Sequence, residues 1–188
     1  MYIHSRNSIH RDIKPANILI QLDRFDTIKK VQISDFGISR MLHKQELAKS
    51  FVGTLLYLAP EVRNFKPYNH KVDSYSFGVT MGEIICAERP NPLLPFSRLQ
   101  LKQKSAPETL IDLYERCVDN DPERRPYFDE IVYILEIVIL DLVIAELREK
   151  MRAEFEAIDD EDTTEQSQER SEMLGAILEK YGAASVLI

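Results

Sequence analysis

Asp12, Lys14 and Asn17 stand in the stretch Ile9-His10-Arg11-Asp12-Ile13-Lys14-Pro15-Ala16-Asn17-Ile18-Leu19, an aspartate two before a lysine and five before an asparagine. These types suit phosphoryl transfer. That reaction uses a carboxylate to receive a hydroxyl proton, an ammonium for the moving phosphate, and a carboxamide oxygen for magnesium. A lone His-Arg-Asp triplet is more often a charged turn between a helix and a strand. Five fixed letters in register, each with a chance of roughly one in twenty, argue against coincidence in one short chain.

Such residues act only if neighbouring elements hold them. Two β-rich runs, residues 18–21 and 31–34, are joined by a polar stretch over 22–30 and predict a hairpin. In an antiparallel pair the residue entering the first strand lies opposite the one leaving the second. Asn17 and Asp35 are therefore expected together at the open end, as a candidate metal site. Asp35 begins Asp35-Phe36-Gly37, and residues 38–52 follow without periodicity, which predicts a mobile loop. Upstream, Met1-Tyr2-Ile3-His4-Ser5 reads as the last turn of a helix whose beginning is absent.

Further along, Asp73 is placed to cap a helix that runs to about Cys86, apolar nearly all round. The proline-rich residues 88–101 read as loop with a short or lost element. Ser105 and Glu108 have capping-box spacing, and Leu110, Leu113, Tyr114, Cys117 and Val118 then form one apolar helical stripe. Arg125-Pro126 opens the next helix, with proline in its first turn and Asp129 and Glu130 just after. Residues 131–145 are apolar except for Glu136 and Asp141. That is too short and too acidic for a membrane span and reads as a buried helix.

The face Leu140, Ile144, Leu147, Met151, Phe155 and Ile158 stays apolar, with Glu146 and Lys150 spaced to pair. A helical extension is expected over 143–158, and its apolar face over 140–158 either pairs with another helix, in this chain or a second one as in a coiled coil, or folds back on its own lobe. Residues 159–170 read as a solvated acidic linker, and 171–181 as a short amphipathic helix. The expected organisation is 1–142, 143–158 and 159–188.

The net charge of −7 is unevenly spread. Residues 151–172 hold nine acids and two bases, leaving 22 of each elsewhere, so this acidic segment carries the whole imbalance. A neutral body with an acidic tail argues against nucleic acid as a partner. Cys86 and Cys117 lie in apolar helical patterns, where a buried thiol is expected, which suits a reducing compartment. No signal peptide is visible in the first twenty residues, so cytosol or nucleus is the default.

Three later motifs add to the opening loop: Gly53-Thr54-Leu55-Leu56-Tyr57-Leu58-Ala59-Pro60-Glu61, the helix-opening Asp73, and Asp121-Pro122-Glu123-Arg124-Arg125-Pro126. With Asp35-Phe36-Gly37 they make five motifs in the order found in eukaryotic protein kinases, which the chain resembles over about residues 1–140. The resemblance implies that Asp12 is the catalytic base, Lys14 contacts phosphate, and Asn17 with Asp35 holds the magnesium of ATP. It makes Leu19 the floor of the adenine site. His10, Phe36 and Gly37 become structural, and Asp73 ties down the catalytic-loop backbone. Arg11 is implied as a receiver for activation-loop phosphate, with Ser50 a candidate donor site, and Arg125 as the partner of Glu61.

Lys14, and Thr54 bonding to the catalytic aspartate and lysine, imply the serine/threonine class, with protein serines and threonines as substrates. The wording around Tyr57 and Arg125 resembles the tyrosine-kinase-like group. The implied fold is mainly α, the C-terminal lobe of the two-lobed α+β kinase fold with a small hairpin at the catalytic loop. An N-terminal lobe is not represented, since none of the six glycines forms a phosphate-loop array. Two readings follow: a fragment of a serine/threonine kinase that is inactive alone, or a non-catalytic lobe serving as an interaction module.

Overall fold

The computed structural model describes residues 2–6, 8–35, 54–91 and 95–159. Phe36, Gly37, Ser50, the loop over 38–52, the linker from 160 and the helix expected at 171–181 lie outside the described residues. The chain divides into two compact units, Met1–Leu135 and Glu136–Ile188. The boundaries expected at 142 and 158 lie within the second.

Among its described residues the first unit is mostly helical with one small antiparallel sheet. Helix α1 spans Tyr2–Ser5, the single helical turn anticipated before the catalytic stretch. Strands β1, Ile18–Leu22, and β2, Ile28–Ile33, pair antiparallel with Ile18 opposite Ile33. The connection is shorter than expected, because Asp23 closes it locally. Its Oδ1 accepts from the Phe25 and Thr27 amides at 2.7 and 3.0 Å, an arrangement in which an aspartate side chain substitutes for a backbone turn.

Helix α2, Pro60–Arg63, starts on a proline, whose missing N–H costs nothing in a first turn. Helix α3, Lys71–Cys86, is the buried centre of the unit. Gly78 and Gly82 let α5, Glu108–Cys117, approach it: a Cβ on Gly78 would stand 2.5 Å from the Cys117 Cβ, and one on Gly82 2.6 Å from the Tyr114 ring. Met81, Cys86, Leu101, Ile111, Leu113, Tyr114, Cys117 and Ile131 form the main core. Tyr57, Ala59, Val72, Tyr75 and Val79 form a second cluster.

Three capping expectations are corrected. Helix α3 begins two residues before Asp73, which sits in its first turn and makes no cap; the N-cap is His70. Helix α5 begins at Glu108 with Pro107 as N-cap, so Ser105 is not its cap. Ser105 instead ends α4, Arg98–Gln103, a short helix in the stretch read mainly as loop. It adopts a left-handed φ of 59°, and the Ser105 and Ala106 amides return to Lys102 O and Leu101 O at 2.9 and 3.3 Å. That is a Schellman closure. The actual capping box is Ser97 with Gln100, at the start of α4. Proline 126 is likewise not in the first turn of α6, which runs Phe128–Asp159 after a 3-10 turn at Pro122–Arg124.

The expectation that 131–145 is buried holds only in part. Ile131 and Val138 are buried, whereas Tyr133, Ile137, Ile139, Leu140, Leu142 and Val143 are exposed. An apolar run is buried only where another element stands against it, and among the described residues the core cluster takes nothing beyond Leu135. In the second unit Lys150 Nζ pairs with Glu146 Oε1 at 2.7 Å. No helix among the described residues is long and apolar enough to cross a membrane.

Candidate active site

The loop between α1 and β1 turns around Asp12. The residue is 5% exposed, and its Oδ2 accepts from Lys14 Nζ at 2.8 Å and from Asn17 Nδ2 at 2.8 Å. Asn17 Nδ2 also donates to the Asp12 carbonyl at 2.8 Å. The amide nitrogen of Asn17 is thus committed to Asp12, and the oxygen is its remaining ligating atom. Oδ1 of Asp12 is buried with no hydrogen-bond partner. A buried carboxylate oxygen without a donor is costly, and it marks Asp12 as a candidate functional group.

His10 supports this loop from beneath. Its Nε2 lies 3.1 Å from the Ser34 carbonyl, which can only accept, so Nδ1 is the acceptor for the Asp12 amide at 3.3 Å. Ser34 also donates its amide to Asn17 O at 2.8 Å, one step beyond the Ile18–Ile33 pair. Asp35, next along, therefore stands at the same hairpin end as Asn17; it is exposed, with a φ of 59°. Leu19, on β1, is exposed.

Asp73 joins α3 to the loop. Fully buried, its carboxylate accepts from the His10 amide and the Arg11 amide at 2.8 Å each, and from His4 Nε2 at 2.8 Å. Arg11 sits in left-handed backbone, φ 71°, with its guanidinium 5.5 Å from the Tyr68 ring centroid and Nε buried without a hydrogen-bond partner. Arg11 and Tyr68 line one side of a cleft with Leu58, Ala59, Val62, Val72 and Ser76.

Glu61 and Arg125 meet as a two-bond pair, Nη1 to Oε1 at 2.6 Å and Nη2 to Oε2 at 2.9 Å. Thr54 begins a 3-10 turn, Thr54–Tyr57; its hydroxyl lies outside the described side chains. The structure thus brings His10, Arg11, Asp12, Lys14, Asn17 and Asp73 into one constellation, sets Asp35 and Leu19 on the adjoining hairpin, and keeps Glu61 with Arg125 in a separate buried pair.

Two participants were missed. His4 is 69 residues from Asp73, and no spacing links them. Lys71 is buried without a carboxylate, its Nζ donating to Arg125 O at 2.7 Å beneath the Tyr127 ring, 4.0 Å from the centroid. A lysine at the start of a helix reads as a solvated charge, and only the packed neighbours reveal otherwise.

Known proteins give a consistent picture. The family model described as protein kinase domain matches residues 1–134. Dual specificity protein kinase shkC of Dictyostelium discoideum is 36% identical over 162 residues, 78% of this chain and 31% of that protein. Serine/threonine-protein kinase STY17 of Arabidopsis thaliana is 34% identical over 151 residues, 75% of this chain and 26% of that protein. Mitogen-activated protein kinase kinase kinase 12 of Rattus norvegicus is 35% identical over 182 residues, 86% of this chain and 20% of that protein. The chain spans less than a third of the length of these three relatives. With an open buried carboxylate oxygen flanked by a lysine and an asparagine, and a family match over most of its length, the chain belongs to the protein kinase domain family.

Proposed function

We propose that this chain carries the catalytic-loop lobe of a serine/threonine protein kinase that transfers phosphate from ATP to protein hydroxyls. The observation that carries the reading is the Asp12 carboxylate, with Oδ2 held by Lys14 and Asn17 and Oδ1 open. An incoming serine or threonine hydroxyl would donate to Oδ1, which lowers the cost of deprotonation as the oxygen attacks. Lys14 keeps Asp12 aimed and offers positive charge beside the phosphate in transit.

Magnesium fits the donor set. The Asn17 amide oxygen and the Asp35 carboxylate are hard oxygen ligands, the kind this cation takes. When bound, magnesium neutralises phosphate charge. Leu19 would lie against the nucleotide base. Arg11, with its open Nε, would receive an activation-segment phosphate, for which Ser50 is the candidate.

Alone, these 188 residues are proposed to be inactive. Positioning dominates this chemistry, and no glycine-rich loop can be assembled from glycines at 37, 53, 78, 82, 175 and 182. Calorimetry on the 188-residue chain should find no tight magnesium-dependent ATP binding. Joined to an N-lobe bearing that loop, the chain should transfer phosphate, and Asp12→Asn should lower the rate by about 10²- to 10⁴-fold while nucleotide still binds. Near-normal turnover in that variant would sink the assignment.

A second reading, a non-catalytic interaction lobe, is supported by the exposed apolar residues of α6, Leu140 and Leu142 among them. Full activity on joining an N-lobe discards it. Under either reading, exposed Leu140 and Leu142 make 140–158 a candidate helix-pairing segment. Removing residues 145–188 should lower the assembly mass in light scattering if that segment pairs between molecules.

A further inference from the structure

We propose that the apolar seam of α6 within the unit Glu136–Ile188 seats a second copy of this chain, with the two helices antiparallel. This rests on the reading of 140–158 as a helix-pairing segment and names its partner, orientation and register. It does not depend on phosphate transfer.

Ile137, Leu140, Ile144, Leu147 and Met151 recur at intervals of three and four along α6, Phe128–Asp159. That is a heptad seam, with Ile137, Ile144 and Met151 at a and Leu140 and Leu147 at d. Ile137 is 36% exposed and Leu140 58%, while Ile144, Leu147 and Met151 are half-buried. A contiguous apolar strip of this kind, rimmed by charges, marks an interaction surface.

The charges beside the seam decide what lies opposite it, because e and g residues set the partner and orientation of paired helices. Here e holds Asp141 and Arg148, and g holds Glu136, Val143 and Lys150. In a parallel pair each g residue meets the e residue five positions later in the copy. Glu136 would then face Asp141 twice over, and no opposite charges would meet. An antiparallel pair sets a against d, e against e and g against g.

With Ile144 opposite Leu147 of the second copy, Leu140 meets Met151 and Asp141 meets Arg148, and the two-fold symmetry makes each contact twice. Sliding the copy by one heptad sets Asp141 on its own counterpart in one direction and Arg148 on its own counterpart in the other. Glu154, at the next d position by register, opposes Ile137 in the antiparallel pair and would oppose itself in a parallel one. Charge complementarity therefore selects one orientation and one register. The seam from Ile137 to Met151 is only about 22 Å long, so the dimer is a concentration-dependent one.

Sedimentation equilibrium on the 188-residue chain up to about 100 µM tests this, a range that resolves micromolar dimers. The chain should pass from monomer to dimer. Asp141→Arg and Arg148→Asp each turn both attractive pairs into repulsive ones and should weaken the dimer about tenfold at low salt. The two exchanges together should restore it. In a mixture of Leu140→Cys and Met151→Cys, oxidation should join unlike chains, whereas Leu140→Cys alone should stay unjoined. Cys86 and Cys117 are buried, and none of the four substituted positions belongs to either core cluster, so the variants should fold as the parent does.

A monomer at every concentration overturns this proposal together with pairing between molecules. Strengthening by Asp141→Arg, which would place that arginine against Glu136 in a parallel pair, overturns the antiparallel order and leaves helix pairing standing, as does ready self-joining of Leu140→Cys. A dimer indifferent to the single exchanges, or one that the double exchange fails to restore, shows that Asp141 and Arg148 do not meet and also overturns the proposal.

Discussion

Glu61 and Arg125 are 64 residues apart in the chain yet form a two-bond ion pair at 2.6 and 2.9 Å, with side-chain exposures of 7% and 0%. Arg125 also donates Nε to Asp119 O at 2.8 Å and lies over the Tyr75 ring, 4.9 Å from its centroid. The pair ties α2 to the 3-10 turn that precedes α6.

Removing one partner leaves a buried charge without compensation, which typically costs about 3–5 kcal/mol. Arg125→Ala and Glu61→Ala should each lower the urea unfolding free energy by that order, seen as a lower midpoint. The double variant should lose less than the sum of the two. A midpoint unchanged in either single variant contradicts the pairing.

At Gly78 and Gly82 a methyl group should act unequally. In Gly78→Ala the new carbon meets the Cys117 Cβ, close to the α5 backbone and unable to rotate away. In Gly82→Ala it meets the rings of Tyr114 and Phe96, which can shift. Overpacking of this kind costs about 1–3 kcal/mol, and thermal melting should place Gly78→Ala at the upper end.

Burial pushes the Cys117 thiol from 9.0 up to about 12. The folded chain keeps this proton while the unfolded chain releases it above pH 9, so stability should fall as pH rises from 9 towards 12. Wild type and Cys117→Ala compared by urea unfolding at pH 8 and pH 10 should show a shallower loss in the variant. Iodoacetamide at pH 8 should label Cys117 only after unfolding.

His70 is shifted in the opposite sense. Burial first, then the neighbouring His4 and Lys71, hold its pKa below 6.5, with Asp73 opposing them. The unfolded state then binds more protons below pH 6.5, and stability is lost as pH falls through that value. His70→Gln should flatten the decline between pH 7 and 5 in a thermal-melt series. An identical slope in wild type and variant would remove His70 as its source.

Much of the site is legible in the sequence. Asp12, Lys14 and Asn17 are within five positions of one another, and two β-rich runs joined by a polar stretch imply a hairpin, so Asn17 and the Asp35 end had to converge. The α5 stripe was readable for the same reason: Leu113, Tyr114 and Cys117 follow one helical period and are buried together. Such features depend on neighbours a few residues away, and local spacing decides them.

The tertiary structure decided where competing partners settle. Asp73 could accept from its own helix or from the loop over His10 and Arg11; the loop prevails because α3 carries the carboxylate beneath two amides more than sixty residues away. Ser105 could cap α5 or close α4, and the left-handed turn after Gln103 commits it to α4. The apolar run of α6 is buried at Ile131 but exposed at Ile139 and Leu140, since its pattern specifies a face and says nothing of what stands opposite. His4 needed the same information. A hydrogen bond across 69 residues exists only once the packing of α1, α3 and α6 has brought its two ends within 2.8 Å.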